Sequence, residues 1–260
     1  KLHIFIAGII IFCLSLILKI FQDLESKIVI FFNQFLFDLN FFSFLTEIGN
    51  GFFATALLVP SLSLLSSKLK INYVPVQLMI VPALCIGLDV QFLKYILSFE
   101  RPASIFTDEI IFLEPIFIAG SFPSGHAATV LSVILIWLSF ALKDLKSKES
   151  KIIFSFFILI ALSVALSRVI IGAHWLSDVL GSLALVIMAI AIFKINFIKA
   201  FVEKSIFLKY FSFVLIGLSW AGILFFDISD AQEIFESKVS NLDKDEFYLL
   251  NTSIHKADYK

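Results

Sequence analysis

Arginine is almost missing from this chain. Of its 20 Lys and Arg residues only two, Arg101 and Arg168, are arginine. Net charge is missing too: the formal value is −1, so no basic surface is available for nucleic acid. Cysteine is scarce. Cys13 and Cys85 both lie inside apolar runs and read as packing positions, since two such residues make neither a disulfide framework nor a zinc set. They identify no redox compartment. Internal repeats and low-complexity segments are absent. What is abundant is apolar: 60% of the residues are hydrophobic and 32 are phenylalanine. Soluble domains run at about 45–50% apolar. The composition predicts an all-α integral membrane protein, a polytopic bundle of spanning helices.

A bilayer span takes about 20 predominantly apolar residues. Seven runs qualify, at 2–20, 48–66, 74–97, 126–142, 152–171, 175–193 and 206–226. Residues 4–18 have the look of a signal-peptide core, but no small-x-small pattern follows and more apolar runs do, so they are read as a retained first helix. Lysines collect in alternate connections: Lys68 and Lys70, then Lys143, Lys146, Lys148 and Lys151, then Lys194, Lys199 and Lys204. The other connections are acid-rich, with Asp23, Glu25, Asp38 and Glu47 in 21–47, and Glu100, Asp108, Glu109 and Glu114 in 98–122. By the positive-inside rule this predicts a cytoplasmic N-terminus and, if the seventh run spans rather than re-entering, an extracytoplasmic tail; a re-entrant or interfacial seventh run would leave the tail inside. Three units are expected: a transmembrane core over 1–200, an extra helix over 201–226, and a polar, mildly acidic tail over 227–260.

Polar residues that a bilayer penalises fall in three segments, all at span ends on the predicted non-cytoplasmic side. The first runs from Lys94 to Arg101-Pro102. Those two cations are two helical turns apart and share a face if the helix continues that far, although Pro102 disfavours helix at Arg101. The second, Pro123-Ser124-Gly125-His126, opens the fourth span, where early helical N–H groups have no partner and small residues let an anion approach. The third has Ser167-Arg168 at the end of the fifth span, a Gly172-Ala173 turn, then His174 and Asp178. The last two, four apart, are read as lying on one helix face, where a carboxylate can fix an imidazole's tautomer. The guanidinium fork matches phosphate oxygens as an ammonium does not, so the two arginines point to a phosphate site.

The order and spacing K-x6-RP, PSGH, SR-x5-H-x3-D resemble the type 2 phosphatidic acid phosphatase superfamily, whose soluble relatives include vanadium haloperoxidases. The motifs cover 94–178, and the arrangement over 2–193 resembles that family's six-helix core. The seventh apolar run and the polar tail depart from its plainest pattern. The resemblance implies a metal-independent lipid phosphate phosphatase working through phosphohistidine, with no cofactor. It implies His174 as nucleophile, Asp178 as its orienting partner and His126 as proton donor to the leaving oxygen. Lys94, Arg101, Ser124, Gly125 and Arg168 would hold the phosphoryl group. The implied substrates are membrane lipids bearing a phosphomonoester or pyrophosphate: phosphatidic acid, phosphatidylglycerol phosphate, undecaprenyl pyrophosphate or lipid A phosphates. The expected location is a bacterial inner membrane with the site facing the periplasm. Transfer of the phosphoryl group to a second lipid is the alternative reaction. A transporter is disfavoured, because a pathway would spread polar residues over several depths rather than gather them at one face.

Other polar residues read more plainly. Asp89 lies within the third span, where a charge must be paired or face a polar cavity. Glu47, Asn50 and the Gly49/Gly51 pair are expected to cap a helix and permit close packing rather than line a headgroup entrance. The acidic stretch 98–114 reads as a solvated loop, and His3 and His255 as incidental.

Overall fold

The computed structural model describes residues 1–69, 71–106, 110–112, 119–142 and 147–225. Lys70, Asp108, Glu109, Glu114, Lys143, Lys146, His255 and the tail 227–260 lie outside the described residues. Among the described residues the chain forms ten helices. They are α1 (Leu2–Ile20), α2 (Gln22–Asn33), α3 (Leu39–Glu47), α4 (Gly51–Lys68), α5 (Gln77–Leu97), α6 (Gly125–Ala141), α7 (Lys148–Ile170), α8 (Leu176–Phe193), α9 (Asn196–Lys204) and α10 (Ile206–Phe225). Six of them are long and apolar enough to cross a membrane: α1, α4, α5, α7, α8 and α10. The apolar α6 is shorter, at 17 residues. The chain is an all-α integral membrane protein, as its composition requires.

The core is built around α6. Its Val130, Leu131, Val133, Ile134, Ile136 and Trp137 are all buried, enclosed by α5, α7 and α8. Lipid tails are as apolar as leucine, so close packing rather than escape from water must hold such helices together. The join of α1 to α8 shows this. A Cβ added to Gly8 would stand 2.5 Å from Met188 Cγ and 3.1 Å from Ala184 O. Gly8 therefore lets the two backbones approach. α10 lies on the outside, against α4 and α5, and Gly222 makes room there for the Phe52 ring.

Residues 21–47 are not the open acidic loop that their charges suggest. Asp23 and Glu25 occupy the first turn of α2, where carboxylates suit the helix dipole. Asp38 caps α3 by accepting from Phe41 N–H at 3.0 Å. Three of the four acids there are helix starts, and Glu47 ends α3. Asn50 behaves as expected, capping α4 through Phe52 N–H at 2.9 Å while its Nδ2 bonds Glu47 Oε2 at 3.0 Å. A π-turn at Ala54–Leu58 interrupts α4 just before Pro60. Proline lacks an N–H and its ring crowds the carbonyl one turn back, which accounts for the local unwinding.

Contacts assign the helix ends to two faces. At one, Lys1 Nζ bonds Asn196 Oδ1 at 3.1 Å, Asn72 N–H bonds Ala141 O at 3.0 Å, and Gln77 Nε2 bonds Glu203 O at 3.1 Å. This is the end that carries Lys68, Lys194, Lys199 and Lys204. The other face gathers the last residues of α1, α5 and α7 with the first of α2, α6 and α8. The cysteines correct the sequence reading: Cys13 and Cys85 are free thiols on exposed surfaces of α1 and α5, not packed within the bundle. Asp89 also lies on an exposed face of α5.

Candidate active site

α7 ends at Ile170, and Gly172 takes φ +73°, a left-handed conformation open to glycine without steric cost. The chain turns at once toward α8. Within the turn the N–H groups of Ala173 and His174 both reach Arg168 O, at 3.1 and 3.0 Å. His174 therefore sits in the turn, before α8 begins, and not on a helix face shared with Asp178. The two meet because Asp178, in the first turn of α8, reaches backward. Its Oδ2 accepts from Trp175 N–H at 2.9 Å and lies 3.2 Å from His174 Nδ1. That backward reach is half of a capping box, turned here to hold an imidazole. His174 is 2% exposed and Asp178 0%.

Two further groups complete the carboxylate's shell. Ser121 Oγ donates to Asp178 Oδ2, and Lys19 Nζ, from the end of α1, donates to Oδ1 at 2.7 Å. Burial pushes the His174 imidazole well below its ordinary value; Arg101 and Arg168 push the same way, and Asp178 opposes them. The ring is thus neutral at neutral pH. With Nδ1–H directed at the carboxylate, Nε2 carries the free lone pair.

The arginines approach from two sides. α5 stops at Leu97, and Ser98 takes a positive φ of 40°. The helix does not continue to Arg101, so Lys94 and Arg101 share no helix face. Arg101 is extended, at φ −93° and ψ 164°, as the following proline demands. Its Nε donates to Ala119 O at 3.2 Å, Nη2 to Gly120 O at 3.4 Å and Nη1 to Ala173 O at 3.3 Å, beside the His174 turn. Arg168 is buried, and its Nη1 donates to Thr46 Oγ1 at 2.6 Å.

The third wall is the start of α6. Ser124 N–H bonds Asp178 O at 3.2 Å, and Ser182 Oγ lies 2.8 Å from Ser124 O and 2.9 Å from Asp178 O. These bonds fix the Pro123–His126 segment to the first turns of α8. Gly181 faces the buried Phe122 ring, where a Cβ would stand 2.5 Å from two ring carbons. Ser124 occupies the N-cap of α6 but does not cap it through its side chain. Among the described residues its buried hydroxyl has no hydrogen-bond partner. A helix start carrying an uncommitted hydroxyl is chemically suited to an anion. Gly125 and His126 form the first turn of α6, and the His126 backbone packs against Gly49. Lys94 reaches this face in the last turn of α5, half-buried.

The structure thus joins Arg101, Ser124, Arg168, His174 and Asp178 by direct bonds through one turn, and carries Lys94, Gly125 and His126 to the same face on α5 and α6. The sequence reading missed Lys19, Glu25, Thr46 and Ser121. Glu25 is 1% exposed, and it accepts from Ser177 Oγ at 2.6 Å and from Ser177 N–H at 3.2 Å. Burial pushes its carboxyl up, against those bonds. One signal for Lys19 was available: a lysine at the predicted outer end of the first span runs against the positive-inside rule.

The PAP2 superfamily matches residues 72–201, half of the chain. The chain belongs to the PAP2 superfamily. All eight residues predicted for the site lie inside that PAP2 segment, whereas Lys19, Glu25 and Thr46 precede it. A curated relative, phosphatidylglycerophosphatase B of Bacillus subtilis (strain 168), is 35% identical over 86 residues, a stretch covering 32% of this chain and 40% of that protein. The fold is similar to that of the transmembrane PAP2-type phosphatidylglycerolphosphate phosphatase of Bacillus subtilis. The TM-score is 0.57 at 24% identity, over 76% of this chain and 96% of the other. It is also similar to Aquifex aeolicus LpxE, at TM-score 0.52 and 21% identity, over 64% and 92%. Both likenesses concern the PAP2 fold.

Proposed function

We propose that this PAP2 protein removes phosphate from a membrane lipid through a phosphohistidine intermediate. The observation that carries this reading is the buried His174–Asp178 pair, with Arg101, Arg168 and the start of α6 beside it. In the proposed reaction, His174 Nε2 attacks phosphorus in line. The bond from phosphorus to the lipid oxygen breaks, and His126 gives that oxygen a proton. Asp178 keeps the proton on Nδ1 and stabilises the cationic ring as it forms. Lys94, Arg101, Arg168, Ser124 Oγ and Gly125 N–H hold the phosphoryl oxygens, whose charge must be stabilised in the transition state. Water then attacks the phosphohistidine, losing its proton to His126; the N–P bond breaks and phosphate leaves. No step requires a metal ion.

A site at the ends of membrane helices favours a lipid, whose acyl chains can stay in the bilayer while the headgroup enters. Phosphatidylglycerophosphate is the first substrate to test, because the Bacillus subtilis sequence relative and the Bacillus subtilis structure both carry its phosphatase's name. We place the site on the non-cytoplasmic side, from the lysine-rich connections at the opposite face. The test is phosphate release by the purified chain, with EDTA present, from a panel of lipid phosphates in mixed micelles. His174→Ala should reduce release to background. Wild-type turnover by that variant would overturn the mechanism, and label recovered on an acceptor lipid would turn the reading to phosphotransfer.

A further inference from the structure

Lys19 is the anomaly at this site. It lies at the end of a helix that the PAP2 segment does not include, yet its side chain is 9% exposed and paired with Asp178 Oδ1 at 2.7 Å. The ammonium also stands 5.4 Å from the Trp175 ring centroid and 5.6 Å from that of Phe99. Trp175 is in turn pinned by its Nε1–H to Glu100 O at 2.8 Å. A lysine that merely snorkelled would extend toward water. This one turns inward. Asp178 therefore spends one oxygen on Lys19 and the other on His174 Nδ1, Trp175 N–H and Ser121 Oγ.

We propose that Lys19 is a positioning residue for the nucleophile: it fixes the Asp178 carboxylate so that Oδ2 is committed to His174, and it makes α1 a working part of the catalytic centre. Lys19 has no assigned contact with the phosphoryl group and acts through Asp178. Glu25 supports the same arrangement from α2. It anchors Ser177, the residue before Asp178, at the start of α8. The inference rests on the phosphatase reading given above.

The charged groups facing the dyad are Lys19 from α1, Glu25 from α2, Arg101 beyond α5 and Arg168 from α7. Removing the Lys19 charge leaves the buried carboxylate's negative charge uncompensated beside His174 however the carboxylate is turned, so His174 holds its proton to higher pH. The experiment measures kcat and KM against pH for the full chain in mixed micelles of phosphatidylglycerophosphate, with His174→Ala as blank. Lys19→Met should lower kcat about 10-fold or more, leave KM nearly unchanged and move the acid limb of the profile to higher pH. Lys19→Arg should restore most of kcat and the wild-type limb. Lys19→Gln is the second neutral variant, and thermal melts establish that each is folded. Unchanged kcat and profile in a folded neutral variant would overturn the proposal. So would a loss of activity with no movement of the limb. If neither neutral variant folds while Lys19→Arg folds and works, Lys19 serves the fold alone and the proposal also falls. Should the wild type release no phosphate above the blank, the functional reading itself fails; an active wild type with an indifferent Lys19 sinks only this inference.

Discussion

At the scale of single residues, the arginines do more than supply charge. Arg101 directs three different nitrogens at Ala119 O, Gly120 O and Ala173 O, a spread that one ammonium cannot reproduce. Arg168 spends Nη1 on Thr46 while remaining buried. Arg101→Lys and Arg168→Lys should each lower kcat/KM for lipid phosphate by about 10-fold or more, although the charge is kept. Phosphate-release kinetics would show it, and full activity in both variants would mean that position alone matters. His174 gives a pH prediction. Its ordinary value is about 6.5, and burial holds it well below. On the proposed mechanism, the acid limb of kcat/KM that belongs to His174 should therefore fall below pH ~6.5. The sign for stability follows. In the window below pH ~6.5 the unfolded chain binds the proton that the folded chain refuses, so folded stability declines as pH drops through it. Thermal melts between neutral and mildly acid pH would check that direction.

At the scale of elements, the site depends on backbones brought unusually close. Gly181 lets α8 press against Phe122, and so sets the depth of the Ser121–Ser124 segment, whose Ser121 Oγ and Ser124 N–H both bond Asp178. Gly181→Ala should cost about 1–3 kcal/mol of stability and lower turnover as well. Gly217→Ala, where an added Cβ meets nothing within 4 Å, should be neutral or slightly stabilising. Melting temperature and kcat, measured on both variants, separate a packing effect from a general dislike of alanine. The elements also mark what the sequence could and could not disclose. The long apolar runs became helices because a bilayer demands about 20 apolar residues of any span. The candidate-site motifs stood out because arginine, histidine and PSGH are conspicuous in such a chain. Glu25 gave no such signal and Lys19 only its topological anomaly, because their meaning lies in tertiary contacts with residues more than 150 positions away. The helices of 21–47 were hidden for a different reason: short amphipathic helices with acidic starts read as polar loops. The exposed faces of Asp89 and Cys85 depend on how α5 is rotated in the bundle, which apolar content alone does not set.

At the scale of the whole molecule, the two faces of the bundle divide the charge by purpose. One face collects Lys68, Lys194, Lys199 and Lys204 at the ends of α4, α8 and α9. The other carries cations that are mostly committed to the site: Lys19 to Asp178, Arg101 to the turn before α8, Arg168 to Thr46. Lysines retained on a cytoplasmic side need no partners, whereas cations at the opposite face run against the topological bias and need a reason to be there. The proposed site supplies that reason, and it fixes a prediction of sidedness. In a Cys13→Ala, Cys85→Ala background, Ser98→Cys places a thiol at the exposed end of α5 near the site, and Lys204→Cys places one at the exposed end of α9. A membrane-impermeant maleimide added to intact, right-side-out membranes should label Ser98→Cys and spare Lys204→Cys until the membrane is opened. The reverse pattern would put the site on the cytoplasmic side. It would also imply that lysine placement in this chain answers to something other than insertion, since every lysine-rich connection would then lie on the wrong face.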